Sequence, residues 1–140
     1  MKQIGILSFT ERGKRLSHRI AEGLGDDCNV EILEDKGKAK EYLRENFQQK
    51  DVFLFICAAG IAVRMIAPLI RSKDVDPAVI VMDEFGRFVV PILSGHLGGA
   101  NAAAAGIAEL IEAQLVLTTA TDINDKFAVD VWSKYVGCRI

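Results

Sequence analysis

An α/β three-layer sandwich with a mostly parallel sheet, flavodoxin/Rossmann-like, is the fold class this sequence predicts. Three observations predict it. Short apolar runs alternate along the chain with stretches whose apolar residues recur at helical spacing, the pattern of βαβ units. One run, Val52–Cys57, is continuously apolar and rich in β-branched and aromatic residues, as a strand covered on both faces must be. The third is size: 140 residues, half of them hydrophobic, suit one domain that buries roughly two thirds of its unfolded surface.

The elements follow in order. Ile4–Phe9 reads as a strand. Leu16, Ile20 and Leu24 share one face of the helix that follows, and Gly25 ends it. Val30–Leu33 is a short strand. Tyr42, Leu43 and Phe47 line one face of a charged helix over Lys38–Gln49. After the Val52–Cys57 strand a helical pattern starts near Gly60, and Pro68 kinks or ends it. Ala78–Met82 is a further strand. Asp83–Arg87 forms a tight turn into Phe88–Leu93, as a hairpin or an edge excursion. Ser94–Gly99 is a loop and Ala100–Glu112 an alanine-rich helix, whose small side chains at Ala102–Ala105 and Ala108 let it lie close to the sheet. Leu115–Thr118 is a strand. Thr121–Asp125 supplies capping residues for a last helix, Lys126–Tyr135, where Trp132 and Tyr135 read as core or interface.

Composition excludes several classes. With 17 basic and 19 acidic residues the formal charge is −2, so bulk charge does not drive nucleic-acid binding. Cys28, Cys57 and Cys138 form neither a CxxC pair nor a Cys/His cluster, which argues against a disulfide framework or a structural zinc and for a reducing cytoplasm. The amino terminus reads as a strand rather than a signal peptide. No apolar run approaches the about 20 residues that span a bilayer.

In parallel sheets ligands bind beyond the carboxyl ends of the strands. That directs attention to the loops after Cys57, Leu93 and Leu117, with the expectation that Gly60, His96 and Thr119 share one edge of the sheet. At Gly60 a ligand can approach the backbone at a helix start, and Arg64, one turn on, can clamp a carboxylate. The plain alternative pairs Arg64 with Asp83 or Glu84 at a turn. Ser94-Gly95-His96-Leu97-Gly98-Gly99-Ala100-Asn101 is the most informative stretch. Its glycines admit a ligand to the backbone, and His96 titrates near neutrality and can act as acid, base or donor. It is neither a Walker A nor a G-x-G-x-x-G sequence; its alternative is a tight turn with His96 as a cap. In Thr118-Thr119-Ala120-Thr121-Asp122, the carboxylate of Asp122 can be a general base, can orient His96, or can cap the last helix. Asp83 and Glu84 read first as solvated turn residues, and His18 as ordinary helix surface.

Four motifs in this order carry a family resemblance: Gly60-Ile61-Ala62-Val63-Arg64-Met65-Ile66-Ala67-Pro68; Asp76-Pro77 through Phe88-Val89; Leu93-Ser94-Gly95-His96-Leu97-Gly98-Gly99-Ala100-Asn101; and Thr118-Thr119-Ala120-Thr121-Asp122. Together they resemble the N-terminal region of the CbiG family of anaerobic cobalamin (vitamin B12) biosynthesis. The resemblance covers about Val52 to Trp132; the first fifty residues are similar only in pattern. It implies cobalt-precorrin-5A hydrolase activity: opening of a δ-lactone on the contracted macrocycle and release of a meso carbon with its methyl group as acetaldehyde, giving cobalt-precorrin-5B. The implied partner is a cobalt-corrinoid precursor that brings its own cobalt, so no cofactor of the protein is expected. CbiG proteins usually continue into a C-terminal domain, so the expected organisation is a single domain over 1–140 whose implied protein partners are that domain or other enzymes of the pathway.

Residue chemistry then assigns expected roles. His96 is the acid/base and Asp122 orients it. The N–H groups of Gly98 and Gly99 meet the oxyanion, and Arg64 holds a peripheral carboxylate. Gly60, Ser94, Gly95, Asn101, Thr118 and Thr119 complete the substrate contacts. Two rivals stand beside this reading: a non-catalytic tetrapyrrole-binding or partner-docking module, and a nucleotide- or phosphate-binding flavodoxin-like domain.

Overall fold

The structure, a computed structural model, describes residues 1–94 and 99–119. Six strands of the described residues form one sheet: β1 (Lys2–Ser8), β2 (Cys28–Ile32), β3 (Val52–Ile56), β4 (Ala78–Met82), β5 (Phe88–Ser94) and β6 (Gln114–Leu115), in spatial order β2-β1-β3-β4-β5-β6. The first four run parallel; β5 is antiparallel to β4, and β6 is parallel to β5. Among the described residues four α-helices flank the sheet: α1 (Glu11–Leu24), α2 (Ala39–Asn46), α3 (Ala59–Ile66) and α4 (Ala100–Ile111).

Burial divides the core between the two faces of the sheet. On one face Leu16 and Ile20 of α1 and Ala104, Ile107, Ala108 and Ile111 of α4 pack against Ile4, Ile6, Leu54, Ile56, Ile80 and Met82. On the other, Ala39, Leu43 and Phe47 near α2 and Ala62 and Ile66 of α3 pack against Leu7, Phe53, Phe55, Val79 and Val81. Both faces of β3 and β4 are therefore covered, and every residue of these two strands is buried. This is why their sequences are apolar without alternation. Of the small side chains of α4, Ala104, Ala105 and Ala108 are buried.

The helix boundaries have local causes. The Oγ1 of Thr10 caps α1 by accepting from the N–H of Gly13 at 3.0 Å, satisfying one of the first-turn donors. Gly25 ends it at φ +67°, a backbone conformation that favours glycine. α3 stops at Ile66, and Pro68 lies in the short 3-10 turn that follows.

Two expectations need correction. The strand read over Leu115–Thr118 is only the pair Gln114–Leu115, because its ladder is limited to Phe88 and Val89 at the start of β5. The second correction bears on function. The Asp83–Arg87 turn makes β5 run backwards, so Ser94 lies opposite Ala78, at the amino end of β4. The chain leaving β5 departs from the amino-end edge of the parallel strands, not the carboxyl-end edge. His96 and the expected last helix, Lys126–Tyr135, lie outside the described residues.

Candidate functional site

The two edges of the sheet carry different groups. At the amino-end edge the third and fourth sequence motifs meet. Gly99 is the N-cap residue of α4, with no side-chain cap, so the first-turn N–H groups of the helix have no intrahelical partner. Beside it, the Lys2 ammonium lies 3.7 Å from where a Cβ on Gly99 would sit. The Nδ2 of Asn101 donates to the Oγ1 of Thr119 at 3.1 Å. Thr118 and Thr119 are exposed and Asn101 is half-buried. Ser94 ends β5 at this edge. The edge thus gathers one ammonium, one amide, two hydroxyls and a helix start, all groups that stabilise carboxylates or a developing oxyanion. Gly95, His96, Gly98 and Asp122 lie outside the described residues.

At the carboxyl-end edge stand Gly60 and Arg64, on the first turns of α3. A Cβ at Gly60 would meet nothing within 4 Å, so open space, not a tight turn, surrounds it. Arg64 is exposed and has no ion-pair partner among the described residues. The expectation that Gly60 and Thr119 share an edge is overturned: the five-residue strands between them, at about 3.3 Å per residue, separate the edges by about 16 Å of packed core. The reversal of β5 is the physical cause.

The acids proposed as partners for Arg64 are used elsewhere. Asp83 organises the β4–β5 turn, its Oδ1 accepting from the N–H groups of Arg87 at 2.9 Å and Phe88 at 2.7 Å and its Oδ2 from that of Phe85 at 3.1 Å. The Oε2 of Glu84 accepts from the Thr10 hydroxyl at 2.7 Å. Both are structural. The Cys57 thiol, half-buried at the end of β3, is pushed up to about 11 by burial, so it is protonated at neutral pH and a poor nucleophile. His18 lies 3.3 Å from Glu34 on the surface of α1, as its sequence context suggests.

Three features were not singled out from the sequence. Lys2 sits in a strand, where nothing local distinguishes it. A cleft of about 290 Å³ opens at the carboxyl-end edge between the loops after β1 and β2, lined by Ser8–Glu11, Lys14 and Leu33–Lys36. Next to it, Phe85 on the β4–β5 turn is 55% exposed, with the guanidiniums of Arg12 and Arg87 at 4.4 and 4.9 Å from its ring centre. The pairing of Arg12 with Phe85 joins residues far apart in the chain and was not readable.

The fold and its polar edges define an α/β domain with the 2-1-3-4-5 strand order of the flavodoxin-like group, modified by a reversed fifth strand. Residues 41–122 match the family described as "Cobalamin synthesis G N-terminal", and the chain belongs to that family. It is 38% identical to the "Cobalt-precorrin-5A hydrolase" of Salmonella typhimurium over 99% of this chain and 42% of that protein. It is 37% identical to the protein of the same name from Priestia megaterium over 81% of this chain and 30% of that one. A "Probable cobalt-precorrin-5A hydrolase" of Methanocaldococcus jannaschii is 36% identical over 94% of this chain and 39% of the other. The chain therefore spans less than half the length of these relatives, and the likeness reaches into the first fifty residues. Among solved structures, a putative cobalamin biosynthesis protein G homolog from Sulfolobus solfataricus superposes with a TM-score of 0.67 at 21% identity, over 96% of this chain and 46% of that one, a likeness of fold.

Proposed function

We propose that this chain carries the N-terminal part of cobalt-precorrin-5A hydrolase function, in the cytoplasm, on a cobalt-bound tetrapyrrole polycarboxylate. The cobalt belongs to the substrate. The observation that supports a site here is the Asn101–Thr119 hydrogen bond, which joins two of the motifs carrying the family resemblance at one edge of the sheet.

Hydrolysis of the δ-lactone needs a base for water, donors for the oxyanion and an acid for the departing carbon. In this reading His96 moves the proton and Asp122 orients it. The N–H groups of Gly98 and Gly99 meet the oxyanion, and Lys2, Ser94, Gly95, Asn101, Thr118 and Thr119 hold peripheral carboxylates and the lactone. Gly60 and Arg64 leave the assignment, since they lie at the other edge. The fuller protein partners in this reading are the remaining region of the relatives or other enzymes of the pathway.

The test is incubation of the chain with cobalt-precorrin-5A, alone and with the rest of the Salmonella protein supplied as a separate polypeptide, following acetaldehyde. Release in either mixture, absent without the chain, is the expected result. No release under conditions where the intact Salmonella protein turns over would overturn the hydrolase reading and leave the tetrapyrrole-binding module.

A further inference from the structure

One face of the sheet is covered over only part of its width. Leu7, Phe53, Phe55, Val79 and Val81 belong to the core beneath α2 and α3 and are at most 5% exposed. Beyond β4 the same face opens. Val90 stands opposite Val81 and Leu93 opposite Val79, so both point to the side of α2 and α3, yet both are only half-buried. Phe88 and Val116 share that face. Val89 and its partner Leu115 belong to the opposite core, and successive side chains of a strand alternate between faces. Phe88 is 50% exposed and Val116 36%. Among the described residues α4 is the helix packed on β5 and β6, and it lies on the reverse face. A contiguous apolar strip beside a covered one is a surface built for a further layer.

The chain's own sequence carries a matching element outside the described residues, at 126–135. Wound as a helix, it would set Lys126, Asp130, Ser133 and Lys134 within one arc of about 100° and Phe127, Ala128, Val131, Trp132 and Tyr135 on the opposite side. The place where the described chain stops also fits. β6 runs parallel to β5, so Thr119 lies at the amino-end edge, and six residues, 120–125, separate it from Lys126. Ten helical residues span about 15 Å, close to the about 16 Å of a five-residue strand. We propose that the segment 126–135 docks as an amphipathic helix on the open β5–β6 face, antiparallel to β6 and running from Leu93 toward Phe88. Tethering favours this occupant. A segment six residues from the face is present there at a higher effective concentration than a second copy or a separate polypeptide. Docked so, it extends the layer that α2 and α3 begin and holds residues 120–125 beside the Asn101–Thr119 pair. The docking does not depend on the hydrolase reading.

Trp132 is the only tryptophan of the chain, so its fluorescence reads the docking directly. In the full chain its emission should be blue-shifted and shielded from acrylamide, and should stay so on about hundredfold dilution, as an intramolecular contact must. Phe88→Ser and Val116→Ser change exposed side chains of the sheet. Each should admit the quencher to Trp132 and speed amide exchange over 126–135 about tenfold or more, while the amides of β3 and β4 stay protected. Trp132→Ser reads the same contact from the other side and leaves the sheet sequence intact. It should speed exchange in β5 and β6 and leave β1 and β3 unchanged, and it decides the matter if a sheet variant loses β3 protection by unfolding. A wild-type Trp132 as accessible as free tryptophan overturns the proposal. So does shielding that Phe88→Ser and Val116→Ser leave intact, which would place the segment on another surface, or shielding lost on dilution, which would assign the face to a second copy. Unchanged exchange in β5 and β6 of Trp132→Ser overturns it as well.

Discussion

Gly5 lies in the middle of β1, where a Cβ would meet the Tyr42 hydroxyl at 2.7 Å and the Phe53 ring at 2.9 Å. Phe53 stacks on Phe47 and meets Tyr42 edge-on, so the rings have no free direction to move. Gly5→Ala should destabilise the fold by about 1–3 kcal/mol, the usual cost of overpacking, read as a lower midpoint in urea with an unchanged slope. Tyr42 also acts on charge. Its hydroxyl is buried without an ordinary hydrogen bond, yet it faces Glu31, and together with Lys50 at 3.3 Å it holds the Glu31 carboxyl below its usual value near 4.5. A lowered carboxyl pKa in the folded state adds stability above the unfolded pKa, and this is lost as pH falls through the folded one. Melting temperatures between about pH 6 and pH 3 should therefore converge for wild type and Glu31→Gln at the acid end and separate, with wild type higher, toward pH 6. Parallel curves would assign the pH dependence to other carboxylates. None of this pairing was legible in the sequence, because Gly5, Glu31, Tyr42 and Lys50 meet only through the parallel register of β1 and β2 and the placing of α2.

At the scale of elements most of the fold was legible. Val52–Cys57 and Ala78–Met82 announce buried strands by their unbroken apolar character, and the Leu16/Ile20/Leu24 spacing announces α1. The Asp83–Arg87 turn was legible too, and a tight turn between adjacent strands makes them antiparallel. The step missing from the sequence reading was its consequence, that the chain after β5 exits at the other edge of the sheet. Pro91 within β5 carried the same message: proline tolerates only sheet edges and bulges, and here the ladder with β4 shifts register next to it. The reversal divides the candidate residues into two groups and makes their variants behave differently. In the acetaldehyde assay Asn101→Ala should lower kcat/KM about tenfold, through the lost amide and the freed Thr119 hydroxyl. Arg64→Ala should leave it unchanged. Loss of activity with Arg64→Ala and none with Asn101→Ala would move the substrate to the carboxyl-end edge.

For the whole molecule, the proposed hydrolysis turns on proton transfer. His96 is the only histidine in the glycine-rich motifs, and lactone hydrolysis needs proton transfer near neutral pH, where an imidazole titrates. In a form of the protein that releases acetaldehyde, His96→Ala should lower turnover by about 10²–10⁴-fold, the usual worth of a positioned acid or base. Asp122→Asn should lower it less and shift the pH profile, as expected of a group that acts through the imidazole. Wild-type acetaldehyde release by His96→Ala would remove the imidazole from the mechanism and pass proton transfer to Asp122 or to the remaining region of the relatives.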